Sequence, residues 1–210
     1  MYRLYAAPGA ASLCVHWMLI ELGVPFELVA VDLDAERTPE LLALNPAGQV
    51  PVLVVDGRPV CESAAILMLL AERHPEAGLA PVQGSAERAE WLEWMVRLAN
   101  GLLPPFRRWF YAERTMAPAH VEAFKDEARA AIEAFWARTD AMLADGRPFL
   151  LGDRMSTADF LLTMLTRWSR NMTPAAAAWP RLGAYIARMR AMPSLKEVHA
   201  REGLAEWING

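Results

Sequence analysis

The chain has 210 residues, a mass of 23.4 kDa and a formal net charge of −4. Its 54% hydrophobic and 22% charged residues exclude a disordered chain. No apolar run reaches the roughly 18 residues that a membrane-spanning helix needs, and lysine and arginine are too scattered for a nucleic-acid surface. The N-terminus lacks an apolar signal-peptide core, so we expect a globular cytoplasmic protein.

Short apolar runs alternate with helical patterns in the first third of the chain. The predicted elements are a strand at 2–5, a helix after Ser12, a strand at 26–31, a helix at 40–44, a hairpin around Asp56-Gly57 and a helix capped by Ser63. This β-α-β-α-β-β-α order combines parallel pairing with a hairpin. It therefore predicts a mixed sheet covered by helices.

The periodicity becomes helical throughout after a stretch with Pro and Gly near residues 75–85. We therefore predict an α/β domain at 1–76, a linker at 77–85 and an all-helical domain at 86–210. Within the helical domain, Pro104-Pro105 is predicted to interrupt the first helix. Ser156-Thr157-Ala158-Asp159 has the pattern of a capping box, which indicates a structural role.

Two positions in the first domain offer polar groups to a ligand. Pro51 precedes a strand, where it either opens an edge strand in the trans form or forms a cis bond that exposes the Val50 backbone. Glu62-Ser63 lies where a strand ends and a helix begins. The helix N-terminus favours a carboxylate and Glu62 favours an ammonium, which suits the zwitterionic end of an amino acid. A simple N-cap role for Ser63 is the alternative.

Other chemistry has little support in the sequence. Cys14 and Cys61 are the only cysteines and form no CxxC motif, which argues against a disulfide framework and thiol–disulfide exchange. The four histidines have no metal-ligand spacing, so we expect no metal site. Ser12, at a helix start, either caps the helix or donates to an anion, and no GxSxG motif makes it a nucleophile.

Four features in this order resemble the cytosolic glutathione transferase superfamily over nearly the whole chain. They are Asn45-Pro46-Ala47-Gly48-Gln49-Val50-Pro51, Asp56-Gly57, Glu62-Ser63 and Ser156-Thr157-Ala158-Asp159. The resemblance implies a thioredoxin-like N-terminal domain, an all-α C-terminal domain, glutathione as co-substrate and a homodimer. It also implies that Pro51 is cis, against the base rate for X–Pro bonds.

The resemblance further assigns the parts of a glutathione site. Val50 would pair its backbone with the cysteinyl residue of glutathione, and Glu62 and Ser63 would hold the γ-glutamyl ammonium and carboxylate. Gln49 and Arg37 would lie toward the glycine end.

The opening Tyr5-Ala6-Ala7-Pro8-Gly9-Ala10-Ala11-Ser12-Leu13 is similar to the bacterial beta class, with two departures. The beta class has a cysteine just before the serine, and this chain has Ala11 there. The beta class also has a histidine near the middle of the first helix of the C-terminal domain, and this chain has Ala99-Asn100 in that region. Ser12 therefore becomes the leading thiol-activating donor, Tyr5 is the second choice, and backbone donors are a further alternative.

The electrophile is expected in a pocket between the domains, where ligand sites concentrate. Candidate residues that contact the electrophile are Asn100, Leu102, Phe106, Trp109, Phe110 and Tyr111, with Arg107 and Arg108 favouring an anionic substrate. Packing of this aromatic stretch in the helical core or in a dimer contact is the alternative interpretation.

The resulting prediction is an enzyme that conjugates glutathione to small apolar electrophiles. The alternatives are another glutathione-dependent reaction, such as that of an isomerase, dehalogenase or peroxidase, and a non-catalytic ligand carrier or regulatory module.

Overall fold

The computed structural model describes residues 1–209, and only the backbone at residues 205 and 209. Four strands form one sheet: β1 (Tyr2–Ala6), β2 (Phe26–Ala30), β3 (Val52–Val55) and β4 (Arg58–Cys61). The strand order is β2-β1-β3-β4, with β1 and β2 parallel and the other two pairs antiparallel. The predicted mixed sheet is therefore confirmed.

Three helices complete this part of the chain, in the predicted β-α-β-α-β-β-α order. They are α1 (Leu13–Glu21), α2 (Pro39–Leu44) and α3 (Ser63–Arg73). The Thr38 hydroxyl caps α2 by accepting a hydrogen bond from the Leu41 N–H at 3.2 Å. At α3 the structure corrects the sequence prediction, because Glu62 is the N-cap residue and Ser63 is the first helical residue.

The rest of the described chain is helical, as predicted. The helices are α4 (Glu87–Arg97), α5 (Leu103–Phe110), α6 (Ala112–Thr115), α7 (Val121–Met142), α8 (Thr157–Trp168), α9 (Pro180–Arg190), α10 (Pro193–Arg201) and α11 (Ala205–Asn209). Of the helices in residues 1–209, none combines the length and the hydropathy that crossing a membrane requires.

The α-helical pattern breaks just before Pro104 and Pro105, close to the predicted interruption: α4 ends at Arg97 and α5 begins at Leu103. The two prolines lie in the first turn of α5, where a backbone N–H has no helical partner to lose. The join to α4 is a π-helical segment, Leu98–Leu102. The predicted capping box at the start of α8 is confirmed, with the Asp159 carboxylate accepting the Ser156 N–H at 2.8 Å.

The chain divides into two compact units: residues 1–81 together with the segment from Met189 onward, and residues 82–188. The C-terminal segment thus groups with the sheet, whereas the sequence placed it in the helical domain. Helix α10 packs on α1, and the Trp17 indole N–H donates to the Ser194 hydroxyl at 2.8 Å. The C-terminal segment therefore completes the α/β unit.

One turn beside the sheet depends on a glycine for two reasons. Gly48 has a φ of +61°, and a Cβ at this position would lie 2.9 Å from the Cγ of Arg37. The Arg37 guanidinium is itself fixed by four hydrogen bonds to the carbonyl oxygens of Gly48, Asp32, Ala35 and Leu33, at 2.7 to 3.0 Å. Arg37 therefore cannot move aside without breaking the loop that it holds.

We expect Gly48→Ala to lower the free energy of unfolding by about 2 to 5 kcal/mol, because it combines left-handed strain with a steric clash. Gly57→Ala is the matched control: Gly57 has a φ of +77° but no atom within 4 Å of the added Cβ. The control should lose only about 1 to 2 kcal/mol. Urea denaturation measures both values, and equal losses would contradict the clash.

Candidate functional site

The register of the sheet brings three connecting segments to one edge. Tyr5 of β1 lies opposite Val52 at the start of β3, and Val52 lies opposite Cys61 at the end of β4. The end of β1, the start of β3 and the end of β4 are therefore neighbours. The segments that meet there are 7–12, 45–51 and 62–63.

The segment after β1 is held by its own hydrogen bonds. The Ser12 hydroxyl accepts from the Ala7 N–H and donates to the Ala7 carbonyl, both at 3.1 Å. The Ala10 N–H donates to the same carbonyl at 3.1 Å. Ser12 has 0% exposure, and its side chain makes no cap bond to α1.

This geometry gives Ser12 a different role from the predicted one. A hydroxyl has one proton, and here it is donated to Ala7 in a position closed to solvent. The side chain shapes the turn that starts α1 and does not face a ligand. The Ala11 N–H, in a half-buried residue of the same turn, has no partner among residues 1–209.

Tyr5 is also committed to a protein acceptor. Its side chain is 2% exposed, and its hydroxyl donates to a carboxylate oxygen of Glu40 on α2 at 2.5 Å. Burial, and then the hydrogen bond to Glu40, raises the pKa of the Tyr5 phenol above its usual value. The predicted role of Tyr5 as a thiol-activating donor therefore has no support in this geometry.

The 45–51 segment presents a free peptide edge. The Val50-Pro51 bond is cis, as the resemblance implied. Neither the N–H nor the carbonyl of the half-buried Val50 has a hydrogen-bond partner in the described part of the chain. Immediately before it, the Asn45 side-chain amide donates to the Gln49 carbonyl at 3.0 Å, while the Gln49 side chain is exposed. An extended peptide could pair with Val50 as with a strand edge.

Arg37, which the resemblance places toward the glycine end of glutathione, holds the loop before α2. Four of its five guanidinium N–H groups donate to backbone carbonyls of that loop and of Gly48. Its place toward the glycine end stays a prediction.

Glu62 and Ser63 connect β4 to α3. Glu62 has a φ of +70° and is exposed, and within residues 1–209 its carboxylate has no hydrogen bond or ion pair. The Ser63 hydroxyl donates to the Ala11 carbonyl at 3.0 Å, which ties α3 to the turn before α1. The N–H groups of Ser63 and Ala64 belong to the first turn of α3, where no intrahelical acceptor exists. This edge thus offers an anion site beside a free carboxylate.

The candidate residues of the helical unit separate into core and surface. Phe106 has 0% exposure and packs with Phe110, Trp136 and Trp168, at ring-centroid distances of 5.8 to 6.1 Å. It is a core residue, so its predicted role as a pocket wall is corrected; Leu102 is likewise fully buried.

Three of the other predicted residues have side chains that are at least partly exposed to solvent. Asn100 is exposed in the π-helical segment, and Trp109 is half-buried. Tyr111 is 37% exposed between the guanidinium groups of Arg107 and Arg114, which lie 5.4 and 5.3 Å from its ring.

Neither cysteine is an activated thiol. Cys14 is fully buried, its thiol donates to the Ala11 carbonyl at 3.3 Å, and burial raises its pKa to about 12. Burial, and then the neighbouring Glu62 carboxylate, also raises the pKa of Cys61. Within the described residues, no three His, Cys, Asp or Glu side chains are grouped so that they could hold a metal ion.

One residue that shapes this edge, Glu202, was not predicted from the sequence. Glu202, at the end of α10, accepts the Gly9 N–H at 2.8 Å and pairs with His16 Nδ1 at 2.7 Å. The side chains of His16 and Glu202 are only 1% and 4% exposed. No local pattern could have found this contact, because Glu202 follows His16 by 186 residues.

Comparison with known proteins gives the family. The glutathione S-transferase N-terminal domain model matches residues 1–72, and the C-terminal domain model matches residues 89–193. Glutathione S-transferase GST-4.5 of Xanthomonas campestris pv. campestris is 34% identical, over 96% of this chain and 99% of its own length.

Two solved structures are similar over nearly the whole chain. A sphingomonad glutathione S-transferase in complex with glutathione has a TM-score of 0.86 and 35% identity, covering 97% of this chain and 100% of that one. A bacterial beta-class enzyme of Sphingomonas chungbukensis has a TM-score of 0.85 and 30% identity, covering 96% of this chain and 99% of that one. The chain therefore belongs to the glutathione S-transferase family.

Proposed function

We propose that this glutathione S-transferase binds glutathione at the sheet edge and conjugates the glutathione thiolate, through a new S–C bond, to small apolar electrophiles. The observation that carries the glutathione site is the free N–H and carbonyl of Val50, next to two helix N-termini. The cysteinyl residue of the tripeptide pairs with Val50 in the manner of an added strand. Its side chain then points toward one of the two helices.

The γ-glutamyl end has a charge-matched position at α3. Its carboxylate accepts hydrogen bonds from the N–H groups of Ser63 and Ala64, and the helix dipole adds a favourable field. Its ammonium pairs with Glu62, which has no other partner in the described residues. Gln49, whose side chain is exposed, is proposed to lie toward the glycine end.

The thiol is activated by a backbone group in this proposal. The Ala11 N–H, at the turn before α1, stabilises the thiolate together with the helix dipole. A hydrogen bond to a charged acceptor contributes about 1.5 to 3 kcal/mol, which lowers a thiol pKa by about one to two units from its usual value near 8.5. A large fraction of bound glutathione is then thiolate at neutral pH.

The electrophile is proposed to be small and apolar, because partly exposed aromatic rings of the helical unit offer a suitable surface. Trp109 and Tyr111 provide two such rings, and Asn100 adds one polar group.

The assembly is proposed to be a cytoplasmic homodimer, as the family resemblance implies. Sedimentation at micromolar concentration would test the dimer.

The first test concerns the Glu62 carboxylate. We expect Glu62→Gln to raise the dissociation constant for glutathione about fivefold to tenfold, since it removes the charge that pairs with the ammonium. Exposed Glu122→Gln, on α7, is the control with the same change in net charge. Isothermal titration calorimetry measures both, and equal affinities of the two variants would contradict the assigned γ-glutamyl position.

The second test concerns Ser12. Because its proton is donated to Ala7, Ser12→Ala should shift the pKa of bound glutathione by less than about half a unit. The same variant should lose about 1 to 3 kcal/mol of stability, since the buried Ala7 N–H then lacks an acceptor. Thiolate absorbance across a pH titration gives the pKa, and a rise of one to two units would restore Ser12 as the donor.

The third test concerns the protein's own thiols. Cys14 has no accessible surface and a pKa of about 12, so only Cys61 should react with a disulfide reagent such as Ellman's reagent in the native protein. We expect at most one thiol per native chain and two after denaturation. Cys61→Ser should abolish the native reaction while turnover with glutathione remains. A fast-reacting Cys14 would contradict this assignment.

Turnover decides between the proposed activity and its alternatives. Retention on immobilised glutathione followed by turnover of an aryl halide such as 1-chloro-2,4-dinitrobenzene supports conjugation. Retention without that turnover favours another glutathione-dependent reaction or a binding protein.

A further inference from the structure

Helix α2 makes few contacts that hold it against the sheet. It has six residues, and Leu41 is its only buried side chain among the residues described. Leu41 packs with Tyr5 and Val52, with the half-buried Leu44 and Val50 at the margin of this cluster. The helix is also too short to be stable by itself in water. Its position therefore depends on a few tertiary contacts.

A polar contact adds to this apolar one. Tyr5 reaches from β1 to Glu40 in the first turn of α2, and the 2.5 Å bond joins a buried hydroxyl to a carboxylate. Arg3, on the same face of β1, lies 3.5 Å from Glu40 and 2.8 Å from Glu27. A charged acceptor makes the Tyr5 bond stronger than a neutral one. Since the pKa of Tyr5 is raised, the phenol keeps its proton.

The far end of α2 leads directly to the peptide edge at Val50. Asn45 ends the helix, and its N–H donates to the Leu41 carbonyl at 2.8 Å. Its side chain donates to the Gln49 carbonyl at 3.0 Å and accepts the Ala47 N–H at 3.2 Å. The residue after Gln49 is Val50. A continuous series of hydrogen bonds thus runs from Tyr5 through α2 to the Val50 peptide.

We propose that Tyr5 is a positioning residue: its bond to Glu40 holds α2 on the sheet and thereby fixes the Val50 peptide for glutathione. This inference rests on the proposed function, because it assumes that glutathione pairs with Val50. If α2 leaves the sheet for part of the time, the apparent affinity for glutathione falls by the fraction of molecules in which it is docked. The chemical step, once glutathione is bound, does not involve Tyr5.

Tyr5→Phe tests the inference because it keeps the ring and removes only the hydroxyl. We expect the KM for glutathione to rise about tenfold to a hundredfold, in line with the loss of one hydrogen bond to a charged acceptor. The kcat at saturating glutathione and the thiol pKa of bound glutathione should not change. Amide hydrogen exchange in α2 should become faster by a similar factor without any ligand.

Glu40 supplies the matched variants. Glu40→Ala should reproduce the effects of Tyr5→Phe, and the double variant should show no further rise in KM, because both remove the same bond. Glu40→Gln keeps an acceptor for the Tyr5 hydroxyl and should retain most of the affinity. Additive effects of the two substitutions would overturn the proposal.

Other outcomes separate this inference from the proposed function. A fall in kcat with a raised thiol pKa in Tyr5→Phe would make Tyr5 a catalytic donor and overturn the positioning role. Unchanged KM and unchanged exchange in α2 would also overturn it. If the wild-type protein does not bind glutathione, the proposed function fails, and Tyr5 is then no positioning residue for it even if exchange in α2 becomes faster.

Discussion

The three hydroxyl groups at the sheet edge proposed to bind glutathione all donate to protein acceptors. Ser12 donates to the Ala7 carbonyl, Ser63 to the Ala11 carbonyl and Tyr5 to Glu40. Each hydroxyl has a single proton, so none of the three can also donate to a ligand without breaking a bond that shapes the edge. Within residues 1–209, the groups at this edge that have no hydrogen-bond partner include the Val50 N–H and carbonyl, the Ala11 N–H and the Glu62 carboxylate. This division of donors organises the proposed site.

Main-chain donors suit the stabilisation of an anion because their positions are set by the fold and need no reorganisation. The turn before α1 illustrates this, since Ser12, Ser63 and Glu202 together hold its Ala7, Gly9 and Ala11 peptides. Ala11 has no reactive side chain, so only its main chain takes part in this arrangement. A role for the protein's own thiols is also disfavoured by the burial of Cys14. In the proposed site, activation of the glutathione sulfur rests on the Ala11 N–H and the dipole of α1.

The C-terminal segment has a direct part in this unit. Glu202 holds the Gly9 N–H and pairs with His16, and Ser194 accepts from Trp17, so one face of α1 is anchored to residues far away in the chain. Removing that segment would leave a buried indole N–H and a buried imidazole without their partners, which is costly in an apolar environment. The α/β unit is for this reason larger than the stretch of sequence in which strands and helices alternate.

The sequence alone determined the element order, the Asp56-Gly57 hairpin and the Ser156–Asp159 capping box, because periodicity, turn chemistry and capping act over a few residues. Two short motifs, 45–51 and 62–63, also predicted a ligand site at Val50, Glu62 and Ser63, and the sheet register brings these two segments to one edge. Tertiary structure decided which atoms remain free there. Whether Ser12, Tyr5 and Arg37 face a ligand or hold the protein depends on acceptors such as Glu40 and on burial, and whether Phe106 lines a pocket depends on packing against Trp136 and Trp168. Glu40 is 35 residues from Tyr5, and Trp136 and Trp168 lie on other helices than Phe106, so only the folded chain brings them within the roughly 3 Å reach of a hydrogen bond or the few ångströms of ring contact. The partners of Ser12 and Arg37 are nearer in sequence, but they are loop carbonyls whose directions no sequence pattern specifies.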